Sequence, residues 1–238
     1  MHLAKPHLDI GLFTADIQAQ RAFWREGAGL RLDQELELPS SVAPPDGPQP
    51  EQWVQHRFDA HGSVVKVNHW RGELPALPPS GYVALTIASD NPQSWEGRHP
   101  DGGQVRLVPA GTDGIERIAV TVNTPDPRRM MAFYCEAMAC ERISSHTARC
   151  GDTLLFVQQG DGGGIDEHFI GPGFRYLTMQ VFDADQACAS IVAAGGRLAR
   201  EPFGVGDIAR IGFVQDPDGN WIEISARTSL TDRPPEPR

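Results

Sequence analysis

Along the chain, apolar positions repeatedly switch from the two-residue period of a strand to the 3.6-residue period of a helix. Leu8 to Leu32 (LDIGLFTADIQAQRAFWREGAGLRL) opens on a strand-like run, turns at Asp16 and carries an aromatic pair, Phe23 and Trp24, starting seven residues later. Arg117 to Ile143 (RIAVTVNTPDPRRMMAFYCEAMACERI) repeats the pattern, with Asp126 at the turn and Phe133 and Tyr134 at the same offset. Aspartate suits these turns because its carboxylate accepts bonds from the orphan amides of a first helical turn. The offset places the aromatics two turns into each helix, facing the preceding strand.

A further copy begins at Tyr176, where YLTMQVFDADQACASIVAAGG reads as strand, Asp183, helix and a stop at Gly195 and Gly196. It continues through a strand at Ile208 to Val214 into FVQDPDGNWIEIS, where DPDG makes a tight turn with Gly219 supplying a positive φ. The last strand alternates Trp221, Glu223 and Ser225 on one face with Ile222 and Ile224 on the other. Between the first two full copies lies a short one. GYVALTIASDNP resembles the opening strand and HPDGGQVRLV echoes DPDGNWIEI, with too few residues between them for a helix and two strands. The chain thus holds four modules in sequence, the second truncated.

Proline and glycine cluster at Pro39 to Pro50, read as a long surface loop, and at Pro75 to Gly81 and Gly160 to Gly173, read as connectors. A length of 238 residues suits two domains of roughly 100–150 residues. The boundary is placed at Ala110 to Gly114, giving domains at 1–110 and 115–228 and a frayed tail at 229–238.

Charge narrows the partners. With 31 acidic against 21 basic residues the net charge is −10, and no basic run stands out, which argues against nucleic acid or an anionic membrane. The N-terminal MHLAKPHLDI lacks an apolar leader, and no stretch approaches the roughly 20 apolar residues of a span, so a cytoplasmic protein is expected. Cys135, Cys140, Cys150 and Cys188 form no CxxC pair and read as free thiols.

Taken in order, the opening strand, the Asp, the FW or FY pair and the closing DPDGNWIEI make the chain resemble the vicinal oxygen chelate superfamily of glyoxalases, bleomycin-resistance proteins and extradiol dioxygenases. The resemblance is stronger over Ile115 to Ala226 than over Leu8 to Val108. It implies an α+β fold of repeated βαβββ modules forming two cupped, barrel-like mixed sheets with helices outside. In metal-dependent members it implies a divalent ion held by His, Gln or Glu side chains from opening and closing strands. At those positions this chain has Glu223 and Tyr176, with Ala119 or Arg117 as the third-module counterpart. In the first half it has Asp9, Lys66, Tyr82 and Arg106. Phenol, methyl, ammonium and guanidinium groups are poor ligands for a divalent cation, so no standard His-His-Glu site and no cofactor are expected.

The candidate catalytic set is Glu223 as a proton-transferring base, Tyr176 as donor to a developing oxyanion, and Arg117 or His146 assisting. A salt bridge from Glu223 to Arg117 is the structural alternative. Trp221, Phe156, His168, Asp9, Tyr82 and Arg106 are candidates for substrate binding, and EPFGVGD (Glu201 to Asp207) for a mobile flap. His7 and His69 are weaker candidates, and His61 and His99, lying in turns, read as solvent-exposed.

Three functions follow. The first is an isomerase, lyase or ring-modifying enzyme acting on a small oxygenated, aromatic or polyketide-like compound. The second is a metal-free protein that sequesters a small molecule or drug. The third is a metal-dependent dioxygenase or glyoxalase-like enzyme with substitute ligands, Glu223 with His146 or His168. The truncated module leaves a sheet edge that a homodimer would cover.

Overall fold

A computed structural model describes residues 2–91, 93–164 and 168–232. The first module runs β1 (Asp9–Thr14), α1 (Ile17–Ala22), β2 (Arg31–Glu37), β3 (Trp53–Ala60) and β4 (Ser63–Trp70). The second has strands alone: β5 (Tyr82–Ser89), β6 (Trp95–Arg98) and β7 (Gln104–Pro109). The third comprises β8 (Ile118–Thr124), α2 (Pro127–Ala132), β9 (Glu141–Arg142), β10 (Thr147–Cys150) and β11 (Thr153–Gln159). The fourth comprises β12 (Gly173–Gln180), α3 (Ala184–Ala193), β13 (Arg197–Val205), β14 (Ala209–Gln215) and β15 (Trp221–Arg227), followed by the short α4 (Thr228–Thr231). The fold is mixed α+β, as the resemblance implies, with the second module truncated, as the pattern predicts; its two curved sheets are open and do not close into barrels.

The three aspartates cap their helices: Asp16 accepts from the Ala19 amide at 3.0 Å, Asp126 from Arg129 at 3.0 Å and Asp183 from Gln186 at 2.9 Å. α1 and α2 each continue as a π turn, Phe23–Gly27 and Phe133–Ala137, which carries the predicted aromatic pair. Gly219 holds φ +86° in the DPDG turn. Cys140, Cys150 and Cys188 are buried and Cys135 half-buried, all as free thiols.

One sheet has eight strands in the order β13-β14-β15-β12-β1-β4-β3-β2, the other seven in the order β6-β7-β5-β8-β11-β10-β9. The first module therefore joins the fourth, and the second joins the third. Each sheet draws strands from both sides of Ala110–Gly114. The larger sheet is sealed at its centre by antiparallel β1 and β12, with Gly11 opposite Tyr176 and Asp9 opposite Thr178. Strand alternation then divides two environments. Ile10, Leu12, Ile222 and Ile224 enter the main core with the helices, while Phe13, Tyr176 and Trp221 join a second apolar cluster on the opposite, concave face.

His99 corrects the expectation of exposure. It is 1% exposed, accepts from the Gly103 amide at 2.9 Å and lies 4.6 Å from the Phe174 ring. A polar turn is covered here because truncation draws the β6–β7 connection against Trp24 and Phe174. Burial, with Arg98 adding, pushes the imidazole down to about 4 from an ordinary 6.5. A depressed histidine is favoured neutral, so its contribution to stability is present above about pH 6.5 and lost as pH falls towards 4. Asp216, pushed up to about 7 by burial, has the opposite slope, because the fold favours its protonated form. Only a wild-type-minus-variant comparison therefore isolates His99. Between pH 7 and 4.5 the melting temperature of His99→Gln should fall less than that of wild type; parallel curves would refute the assignment.

Candidate functional site

The concave face of the eight-stranded sheet holds a cavity of about 250 Å³. Its polar floor comes from strands whose sequence neighbours point into the main core. Lys66 on β4 is 3% exposed and donates from Nζ to Thr178 Oγ1 at 2.7 Å and to Glu223 Oε2 at 3.0 Å. Thr178 donates to the same Glu223 oxygen at 3.0 Å. Both bonds fall on Oε2, and the Glu223 side chain remains 13% exposed, facing the cavity. Burial lowers the Lys66 ammonium from its ordinary range, opposed by the charges of Glu223 and Asp9. Asp9, 1% exposed, accepts from Lys5 at 2.6 Å and the Val64 amide at 2.9 Å through Oδ1, leaving Oδ2 without a partner.

Tyr176 lies beside this cluster, 5.7 Å from Lys66 Nζ to ring centroid. Its hydroxyl accepts from Asn68 Nδ2 at 3.0 Å and Gln55 Nε2 at 3.4 Å, and among the described residues its own proton has no acceptor. Burial, then the Glu223 charge, raises the phenol far above its ordinary value, so it stays neutral. Asn68 is held in turn: its Oδ1 accepts from Trp53 Nε1 at 2.9 Å and Gln55 Nε2 at 3.0 Å. Aromatic walls come from Trp53, Phe169, Tyr176 and Phe213, with Phe169 stacked 4.9 Å from Phe213. Val205, Ile208 and Ala209 line the cavity at the β13–β14 turn, so EPFGVGD forms the end of a strand and a covering hairpin.

Other sequence candidates fall elsewhere. Arg117 pairs with Asp152 at 2.8 Å, not with Glu223, and Arg117 and Ala119 belong to the seven-stranded sheet side. His146 is exposed in the turn before β10, so it reaches neither Glu223 nor the cavity. His168 precedes Phe169 and accepts from the Ile170 amide at 3.3 Å, but is not part of the cavity lining. Phe156 packs against Ala119 and Leu154 on the other sheet, and Arg106 faces Glu96 at 3.8 Å in solvent. Tyr82 is buried with its hydroxyl donating to the Trp221 carbonyl at 3.2 Å. Trp221 packs beneath the cavity against Phe169 and Phe213. His7 pairs with Asp152 at 2.8 Å and His69 lies outside the lining, while His61 is exposed as expected. The displacement of Arg117, Ala119, His146 and Phe156 has one cause: the strands that complete the cup around Glu223 come from the first module, not the third.

Sequence reading missed Thr178, Asn68, Gln55, Arg57, Arg227 and Phe169. It also took Pro39–Pro50 for surface, whereas Val42 and Ala43 are buried at the cavity edge, their carbonyls accepting from Arg200 at 2.9 and 3.1 Å.

The family resemblance implies a divalent ion here, and the residues do not suit one. An ammonium already bonds the carboxylate that would be a ligand, the neighbouring donors are a neutral phenol and a hydroxyl, and Asp9 is tied to Lys5. Among the described residues no three His, Cys, Asp or Glu side chains converge on a common point. No described helix is long and apolar enough to cross a membrane.

Residues 114–224 match the family model described as glyoxalase/bleomycin resistance protein/dioxygenase superfamily. A probable lactoylglutathione lyase of Vibrio parahaemolyticus is 32% identical over 112 residues, covering 42% of this chain and 81% of that protein. The lactoylglutathione lyase of Escherichia coli O157:H7 is 37% identical over 112 residues, covering 42% and 83%. Glyoxalase I of Zea mays superposes with a TM-score of 0.66 over 95% of both chains at 14% identity, which speaks to the fold alone.

Proposed function

Because this chain belongs to the glyoxalase/bleomycin resistance protein/dioxygenase superfamily, we propose that it is an enzyme of the lyase or isomerase kind that moves a proton next to a carbonyl group in the cup of the larger sheet. The lyase names of its relatives favour catalysis over sequestration alone. The observation that carries the reading is the Glu223 carboxylate, which lines the cavity and is fixed through Oε2 by Lys66 and Thr178, both of its hydrogen bonds among the described residues falling on that one oxygen.

A carbonyl compound bound against the aromatic wall brings its oxygen to the Tyr176 hydroxyl and the Lys66 ammonium. Both are donors fixed in a water-poor site, where stabilising a developing negative charge needs little rearrangement. Glu223 takes the proton from the adjacent carbon and holds it. Returning it to a neighbouring carbon gives isomerisation; loss of a leaving group from that carbon gives a lyase reaction. Lys66 supplies the positive charge that a metal would otherwise bring, and no step passes through an ion.

The test is solvent-deuterium exchange next to the carbonyl across a panel of aryl ketones and 2-oxo acids, followed by NMR. Wild type should accelerate exchange, and a folded Glu223→Gln protein should lose about a hundredfold of that acceleration. Equal exchange by the variant would refute the role of Glu223. Compounds that bind without exchanging would favour sequestration.

A further inference from the structure

Two guanidinium groups in this cavity have no role in the chemistry above. Arg57 on β3 and Arg227 at the end of β15 both line it. Arg57 is 9% exposed and donates from Nη1 to the Gln55 amide oxygen at 2.9 Å. Among the described residues, neither arginine forms an ion pair with a carboxylate. The charged lining consists of Arg57, Lys66 and Arg227 against Glu37 and Glu223. Lys66 and Glu223 neutralise one another and Glu37 is exposed, so the interior keeps an excess of positive charge in a chain of net charge −10.

We propose that the ligand of this cup is a small carboxylate with an apolar, aryl-like body, its carboxylate held by Arg57 and Arg227. Holding the buried Arg57 and half-buried Arg227 guanidinium groups in the cavity wall is costly unless an anion compensates, and the two carboxylates that act on Arg227, Glu223 and Asp9, are already bonded to Lys66 and Lys5. Burial lowers the Arg227 guanidinium from its ordinary value and the charge of Arg57 lowers it further, while Glu223 and Asp9 act the other way. A planar carboxylate matches the guanidinium fork, two parallel bonds at a time.

The body of the ligand follows from the registers. Glu223, Ser225 and Arg227 share one face of β15 and pair with Phe213, Ile211 and Ala209 of β14. An occupant spanning from Arg227 past Glu223 therefore meets a polar end and then the ring wall of Phe213 and Phe169. At about 250 Å³ the cavity is at the small end for organic ligands. The inference rests on reading this cavity as the substrate site, and it adds the charge and shape of the substrate.

Calorimetric titration of the whole protein with phenylacetate and with its uncharged analogue phenylacetamide tests it. Wild type should bind the acid at least tenfold more tightly than the amide. Arg227→Gln should abolish that preference while leaving amide binding unchanged, and Arg227→Lys should restore part of it. Arg57→Gln, checked for folding by circular dichroism, should act in the same direction. Glu223→Gln should keep the preference, so a failed base assignment and a failed carboxylate assignment give different results. Failure of phenylacetate to bind, equal binding of acid and amide, or an undiminished preference in Arg227→Gln would overturn the proposal.

Discussion

Lys66→Ala is expected to destabilise the protein by about 3–5 kcal/mol, because it leaves a buried carboxylate without its counter-charge. In the native arrangement the ammonium bonds Glu223 and Thr178, and Asp9 contributes to holding its charge. Removing it also costs Thr178 a partner and leaves Asp9, which already has one unsatisfied oxygen, nearer to an uncompensated neighbour. Urea unfolding measures the loss, and a change below 1 kcal/mol would mean that the ion pair is incidental. Lys66→Glu is the sharper companion. It brings a third carboxylate to Asp9 and Glu223, a set that repels itself and suits a hard divalent cation. Its melting temperature should rise steeply with millimolar Mn²⁺ through binding linkage, while that of wild type stays flat. Stoichiometric Mn²⁺ binding by wild type would show that Lys66 does not stand in for an ion.

What could be read in the sequence follows the range of the interactions. The three capping aspartates, the paired aromatics and the DPDG turn are set by neighbours within about two helical turns, and each lies where the spacing predicts. The opposed faces of β15 were legible for the same reason: a strand alternates whatever it pairs with. Partner choice was not. β1 bonds to β12 across most of the chain, and nothing local distinguishes that pairing from one with β5. Dividing the chain at Ala110–Gly114 therefore put Arg117 and Phe156 beside Glu223, and Tyr82 and Arg106 beside Asp9 and Lys66, when all four belong to the other sheet or its margins. Some of the missed residues were within reach. Arg227 continues the alternation of Glu223 and Ser225, and Arg57 continues that of Trp53 and Gln55, so their parity alone assigns them to the concave face once Glu223 is placed there. Phe169 had no such signal, since it sits in an irregular glycine-rich connector whose path depends on the cup that it closes.

Gly11→Ala is expected to cost about 3 kcal/mol or more, at the upper end of overpacking. A methyl group there would lie 2.1 Å from two ring atoms of Tyr176, well inside contact distance. Backbone strain is not the reason, because Gly11 is not among the positive-φ residues; the obstacle is the ring itself. That ring cannot easily swing aside. Asn68 holds its hydroxyl, Phe169 meets it edge-on at 5.4 Å and Phe13 lies at 6.3 Å. The added carbon must therefore push β1 from β12, the seam joining the two modules of the cup, or drive Tyr176 into the cavity, where it would block the ligand. Tyr176→Leu alone should also destabilise, since Asn68 loses an acceptor. Combined with Gly11→Ala it should lose less than the sum of the two, by at least 1 kcal/mol, because the shorter side chain makes room for the methyl group. Additive losses in a double-mutant cycle would show that the ring relaxes freely. A relaxed ring would also weaken the oxyanion role of Tyr176, since a donor that can swing away is not held in place for a developing charge.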